Sequence, residues 1–553
     1  MGAAARFGEE HPRQRGSAWT QDLLLFAAIF VVLMLLHAPL LRLPYFWDEA
    51  GYYIPAARDL YLTGALIPHS TPSNAHPPLV MAWLATAWRV AGYSSLVTRT
   101  AMLLVAAFAL LGLFRLARFA ATLPVAWATT ALVALYPVFF TQSSLAHLDL
   151  AAAGFTFWGL LAYLEDRPWK MALWFSLGAL AKETAILAPL ALFGWELVGD
   201  WLPRRWHELR PPSIRRTRSF TLLLPALPLA CWYGYHFAKT GFLFGNPEFL
   251  RYNVTMTIDP FRIPLAFGLR LWQAFGYFGL YLLTVAGLLA MRRRPLMMDG
   301  GARPRIQIWM QLAFLAVLVA YLAFMSVVGG AVLARYMLPV VPLVVLVMVS
   351  TLWRRVRYWR LVIVLVAIAF VAALFTNPPY GFSMEDNFAY RDYAVMHAEA
   401  GRFLALRYPR ARVLTAWPAS DELSRPWLGY VTRPFPVVRI EDFTAGQIAI
   451  AANTSSQFDV ALAFSTKYQP SRPLLENWAL WQSLKEKYFG YHRDLAPEEI
   501  AARLGGIVVF QKKSDGQWVA VISVEREEDA SAHLTVPEGA PAETTHDIAK
   551  AIP

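Results

Sequence analysis

Cysteine is almost absent from this 553-residue chain: the one copy, Cys231, lies in an apolar run, so neither a disulfide framework nor a thiolate metal cluster is available. Charge is scarce too, at 16% of residues. No phosphate-cradling glycine loop, no His-Glu-x-x-His and no nucleophile elbow occurs. An enzyme fed by a soluble nucleotide usually carries one of these, so any donor is expected from elsewhere. No internal repeat is visible. The first apolar run follows Arg6, Arg13 and Arg15, but no small-residue cleavage site comes after His37-Ala38-Pro39, and the run reads as an uncleaved span.

Apolar residues are abundant instead. They make up 57% of the chain, with 21 Trp and a mean hydropathy of +0.40. Apolar segments recur near 23–41, 97–117, 120–140, 150–165, 170–182, 185–198, 220–238, 270–291, 306–328, 336–352 and 361–375. Repetition of this kind predicts a mostly α, polytopic helical membrane protein of about eleven spans. A net charge of +12 would suggest nucleic acid in a soluble protein. Here the arginines cluster between spans, at 115/118, 204–218, 292–305 and 354–360, and the positive-inside rule accounts for them without a nucleic-acid partner. All four clusters fall on the cytoplasmic side if 77–92, short and interrupted by Arg89, lies at the interface. That topology places Asp48, Glu49, His76, His147, Asp149, Lys182, Glu183 and Arg335 together on the opposite face.

After Asn377-Pro-Pro the pattern changes. Helical stretches are expected near 390–408, 474–488 and 497–504. Strands are expected at Arg412 to Trp417, Phe458 to Phe464, Ile507 to Gln511 and Trp518 to Val524. The expected division is a cytoplasmic N-terminus (1–22), a transmembrane catalytic domain (23–380, first external loop 42–96), a small extracytoplasmic α/β domain (381–526) and a disordered tail (527–553).

The polar residues that interrupt this apolar background carry the functional signal. Asp48-Glu49 follows the first span directly. Adjacent carboxylates at a membrane surface cost free energy through desolvation and repulsion unless something uses them. A carboxylate here could deprotonate a hydroxyl or amine, or hold a divalent cation. Tyr52 and Tyr53 follow on a helical stretch. His76 is displayed from the rigid turn His76-Pro77-Pro78, its ordinary reading being a loop histidine bonded to backbone. Asp149 opens a span, where capping is compatible with catalysis. Lys182, beside Glu183 between two short helices, reads as an ion pair or a phosphate contact. Arg335 reads as a headgroup-snorkelling residue or a bidentate phosphate grip, and Arg251 is a second candidate for that grip. Asn253 and Asn453 begin glycosylation sequons, which arise often by chance.

Phe46-Trp-Asp48-Glu49-Ala-Gly-Tyr-Tyr, His76-Pro-Pro-Leu, Asp149 before a Phe-containing span, and Arg335-Tyr-Met-Leu-Pro-Val-Val-Pro together resemble the bacterial branch of the GT-C glycosyltransferases. That branch is similar to dolichyl-phosphate-mannose protein mannosyltransferases and to the lipid A aminoarabinose transferase. The resemblance covers about residues 20–380. It implies an enzyme of the bacterial plasma membrane, with active site and C-terminal domain outside the cytoplasm. Such an enzyme moves a sugar from a polyprenyl phosphate to a lipid, glycan or protein acceptor with inversion. It further implies that Asp48, with Glu49 beside it, and Asp149 are catalytic, and that Asp48 and Asp149 are the metal ligands if a divalent ion takes part. Substrate binding falls to His76, Lys182, Arg335, Tyr52, Tyr53 and Arg251. Many relatives have an arginine shortly before the second acid, where this chain has Leu145, Ala146 and His147. The rival expectation is a transporter or lipid flippase of similar span count, which calls for acids at the bilayer midplane and internal pseudo-symmetry. The acids here sit at span ends.

Overall fold

The computed structural model describes residues 12–201, 208–209, 216–298, 301–470, 474 and 478–524. The expected tail 527–553, residues 1–11 of the N-terminal segment and the arginines at 204, 205, 210 and 215 lie outside the described residues.

The chain is mostly helical. Among the described residues four helical stretches are long and apolar enough to cross a membrane, Trp19–Leu40, Ser95–Ala120, Arg262–Met291 (counted across an internal break) and Ile308–Val327, and they mark a multi-pass membrane protein. Shorter apolar helices at Leu123–Leu135, Asp149–Leu164 and Trp359–Phe375 pack among them. The segment expected as one span at 270–291 is instead two helices, Arg262–Phe275 and Leu280–Met291. Gly279 at φ 85° and Phe278 at φ 47° break the ladder between them. The segment at 77–92 forms a 13-residue helix, Leu79–Ala91. At ~1.5 Å per residue it is too short to cross about 30 Å of hydrocarbon. It buries Val80, Met81, Leu84 and Trp88 and exposes Val90.

Two ends of the bundle differ in charge. At one end Arg115 pairs with Asp22 at 2.8 Å, Arg354 donates to the Arg303 carbonyl, and Arg355 donates to those of Met291 and Arg293. At the other end of the same Ser95–Ala120 helix, Arg99 is buried among the candidate site residues. Sixteen residues of helix separate Arg99 from Arg115, roughly 24 Å.

The sheet beyond the last apolar helix has five strands: β1 (Val413–Ala416), β2 (Val437–Ile440), β3 (Val460–Phe464), β4 (Gly506–Ser514) and β5 (Gln517–Val524), in the order β2-β1-β3-β5-β4. β1 pairs parallel with β2 and β3, and β5 pairs antiparallel with β3 and β4. β1 and β3 are buried at every position, so they read as continuous apolar runs. β2 was missed because Val-Val-Arg-Ile follows a Pro-rich stretch and is only half-buried. One apolar core joins this sheet to the first loop: Tyr45, Phe46, Ala50 and Ile54 pack with Tyr390, Tyr393, Val413 and Phe464.

Candidate active site

The chain after the first span turns sharply at Trp47, which holds φ +44°. A left-handed conformation in a bulky residue costs about 1–3 kcal/mol and persists only where its surroundings enforce it. The Trp47 ring is wedged against Trp417 and Tyr393, at centroid distances of 5.6 and 5.5 Å. Immediately beyond the turn, Asp48 and Glu49 diverge.

Glu49 is fully buried and saturated. It pairs with the buried Arg99 and accepts from the backbone N–H groups of Phe46 and Ala146. Arg99 also donates to the carbonyls of Ser144 and Pro44. The pair thus ties the first loop to the loop 143–148 that precedes Asp149.

Asp48 remains partly open, with 31% of its side chain exposed. Its Oδ2 lies 2.5 Å from Nη2 of Arg335, a residue 1% exposed. The same guanidinium meets Glu385 through Nη1 at 2.5 Å and Asp149 through Nε at 3.3 Å. Lys182 closes the group, with Nζ 2.5 Å from Asp149 Oδ1 and 4.0 Å from the centre of the Tyr336 ring. Three acids therefore face two cations in a space nearly closed to water. Asp149 is the first residue of its helix; Leu148 precedes it as N-cap, and the carboxylate is spent on Lys182 rather than on capping. Lys182 and Glu183 do not pair with each other. Glu183 meets His76 Nδ1 at 3.0 Å. Burial pushes the Glu183 carboxyl up, but His76 and Lys182 outweigh it and hold it at about 2.

His76 follows a second left-handed residue, Ala75 at φ +56°. Its ring is boxed by Tyr52, Tyr53 and Phe249 at 5.5–5.9 Å. Tyr53 also packs on His147, at 5.6 Å, which connects the His76 corner to the Arg335 cluster. Arg251 is not brought in: it is exposed, in the short turn Arg251–Thr255.

Two members of the cluster escaped the sequence reading as candidates. His147, fully buried, sits 2.9 Å from Arg335 Nη1 and 2.7 Å from Gln142 Oε1. Burial, reinforced by Arg335, Arg99 and Lys182, pushes its imidazole well down, so it is a neutral ring. Its place one residue from Asp149 was the available signal. Glu385 lies in the turn Met384–Asp386 beyond the last apolar helix, in a stretch that reads as linker. Burial pushes the carboxyls of Glu385 and Asp386 up, more than Arg335 pulls them down.

Ligand atoms of Asp48, His147 and Glu385 all lie within 4.8 Å of one another, a grouping that could hold a metal ion. It is not the Asp48–Asp149 pair expected from the sequence, since both oxygens of Asp149 face cations. Arg335 contacts all three grouped side chains, so an ion and the guanidinium would compete for one place. As arranged, the residues fit the arginine and not an ion.

Comparisons with protein-family models and with curated proteins return no match. Among solved structures the chain is similar to ArnT from Cupriavidus metallidurans in the apo state, at 14% identity and TM-score 0.48, covering 94% of this chain and 100% of that one. The same protein bound to undecaprenyl phosphate gives 16% identity and TM-score 0.46, over 91% and 98% of the two chains. The Archaeoglobus fulgidus oligosaccharyltransferase in complex with Zn and sulfate gives 11% identity and TM-score 0.43, over 90% and 72%.

Proposed function

We propose that this chain is a multi-pass glycosyltransferase that moves a sugar from a polyprenyl phosphate to an acceptor on the extracytoplasmic face of a bacterial plasma membrane. The observation that carries the reading is the Asp48–Arg335 contact: one carboxylate, partly open, against a buried guanidinium at the end of the bundle remote from the arginine clusters. Clustered arginines mark the cytoplasmic end under the positive-inside rule, so the site belongs outside. The eleven-span topology and the domain limits at 380 and 526 are part of the same proposal.

In this mechanism Asp48 takes the proton of the acceptor hydroxyl or amine. The acceptor atom bonds to the anomeric carbon from the face opposite the phosphate, and the bond from that carbon to the phosphate oxygen breaks. The electron pair leaves with the lipid phosphate. Arg335 and Lys182 face the developing negative charge, and fixed cations in a desolvated site stabilise it more than water would. Asp149 holds both cations in place. His76, oriented by Glu183 and flanked by Tyr52 and Tyr53, lines the donor side. Glu49 secures the loop through Arg99.

The test is transfer from a panel of polyprenyl-phosphate sugars by purified protein, read by mass spectrometry of the product. Wild type should transfer at least one of them, and Asp48→Asn should be slower by about a hundredfold or more, the scale of lost base catalysis. Equal turnover by Asp48→Asn would remove Asp48 from the chemistry.

A further inference from the structure

Arg335 is contacted by acids of two kinds. Asp48 is partly open, with 31% of its side chain exposed, whereas Asp149 and Glu385 are buried, at 3% and 4% exposed. The Nη1 arm, bonded to Glu385 at 2.5 Å, is the counterpart of the Nη2 arm that meets Asp48. A planar guanidinium has its remaining donors fixed once one arm is set. Glu385 is itself held: its carbonyl accepts from the Thr141 hydroxyl at 2.6 Å, and Asp386 beside it accepts from the Tyr277 hydroxyl at 2.7 Å. Two hydroxyls from different helical segments thus fix a turn that lies beyond the last apolar helix.

We infer that Glu385 is a positioning residue for the transfer reaction: by accepting from Nη1 it aims the Nη2 edge of Arg335 at Asp48 and the leaving phosphate. The inference rests on the glycosyltransferase reading. It assigns a catalytic contribution to the segment leading into the outer sheet, because the Arg335 cluster is incomplete without that turn. The contribution is one of orientation, since an acceptor oxygen at this place is what the geometry requires. Misplacement of a reacting or charge-stabilising group by about 1 Å suffices to lose on the order of a hundredfold in rate.

The experiment compares Glu385→Met, which keeps the volume and removes the acceptor, with Glu385→Gln, which restores a neutral acceptor oxygen. Three acids against two cations means that removing one does not strand a positive charge, so both variants are expected to fold. Glu385→Met should lower kcat by at least about tenfold with donor KM within about threefold, and Glu385→Gln should recover most of that loss. The inference is overturned if Glu385→Met keeps its kcat or if Glu385→Gln falls as far. Should Glu385→Met fail to accumulate, Thr141→Val decides: an unchanged kcat there counts against the role, and a fall in kcat at constant KM supports it. Failure of wild type to use any polyprenyl-phosphate sugar would overturn the glycosyltransferase reading itself, a result separate from these.

Discussion

At the residue scale, two neighbouring carboxylates are driven to different fates by a single backbone angle. The left-handed turn at Trp47 leaves Asp48 half-open and sends Glu49 inward to Arg99. Glu49 and Arg99 are 0% and 1% exposed, so each neutralises a charge that would otherwise be stranded. Removing one partner of such a pair typically costs about 3–5 kcal/mol, while replacing both can be nearly neutral. Glu49→Ala is therefore expected to lower the melting temperature sharply, and Glu49→Ala with Arg99→Met should recover part of the loss. A fully folded Glu49→Ala protein with impaired transfer would instead place Glu49 in the chemistry. Asp48-Glu49 was legible as a pair of interest from its place after a span. Which member stays partly exposed was not legible, because the φ of Trp47 is enforced by Trp417 and Tyr393, hundreds of residues away.

At the element scale, Arg335 sits in a short 3-10 turn, Ala334–Met337, entered through the irregular stretch 328–333, whose backbone groups must find partners elsewhere. The helix Arg262–Phe275 supplies them from one face. Arg262 donates to Gly329 and Gly330, Arg270 to Leu333 and Gln273 to Val332, at 2.7–3.2 Å. Asn253 completes the clamp, its carbonyl accepting from Gly329 N–H and its Oδ1 from Gly330 N–H. A methyl group on Gly330 would collide with the Tyr252 ring and lie 2.6 Å from its carbonyl oxygen. Gly330→Ala should displace the loop and lower transfer by about tenfold or more, since small shifts in positioned groups are costly, with less effect on melting. Comparison of kcat with the thermal midpoint checks it. The Met384–Asp386 turn gives a pH prediction at the same scale. Burial raises both carboxyls above their ordinary values of 4.5 and 3.8, so the folded state binds protons more tightly than the unfolded one. Stability from this source is present below those values and is lost as pH rises past them. The melting midpoint should fall as pH climbs from about 5 toward 8, and Asp386→Asn should flatten that slope. Helix positions were legible from apolar runs. The clamp was not, because Arg262 precedes the apolar run 270–291, Arg270 and Gln273 sit at its start, and nothing in the local pattern names the carbonyls they reach.

At the scale of the whole molecule, the C-terminal sheet and the helical bundle share a site and a core. Gly51, three residues after Asp48, lies so close to Trp417 that a Cβ would fall 2.5 Å from the indole. Gly51→Ala should weaken the seating of the outer part on the first loop and reduce transfer, and limited proteolysis should show easier cleavage near 380. A chain ending at 380 should be inactive, because it loses Glu385 along with Tyr393 and Trp417, which hold Trp47 in place; retained transfer would overturn that dependence. What the sequence determined unaided is the part written in local pattern. Apolar runs specify membrane helices, arginine clusters set one end of the bundle apart from the other, and acids at span ends specify where chemistry is to be sought. Only the tertiary structure decided that Asp149 turns to Lys182, that Glu49 is consumed by Arg99, and that Glu385 reaches Arg335. Hydropathy records the environment of each segment, whereas the partner of a buried charge depends on which segments fold against one another.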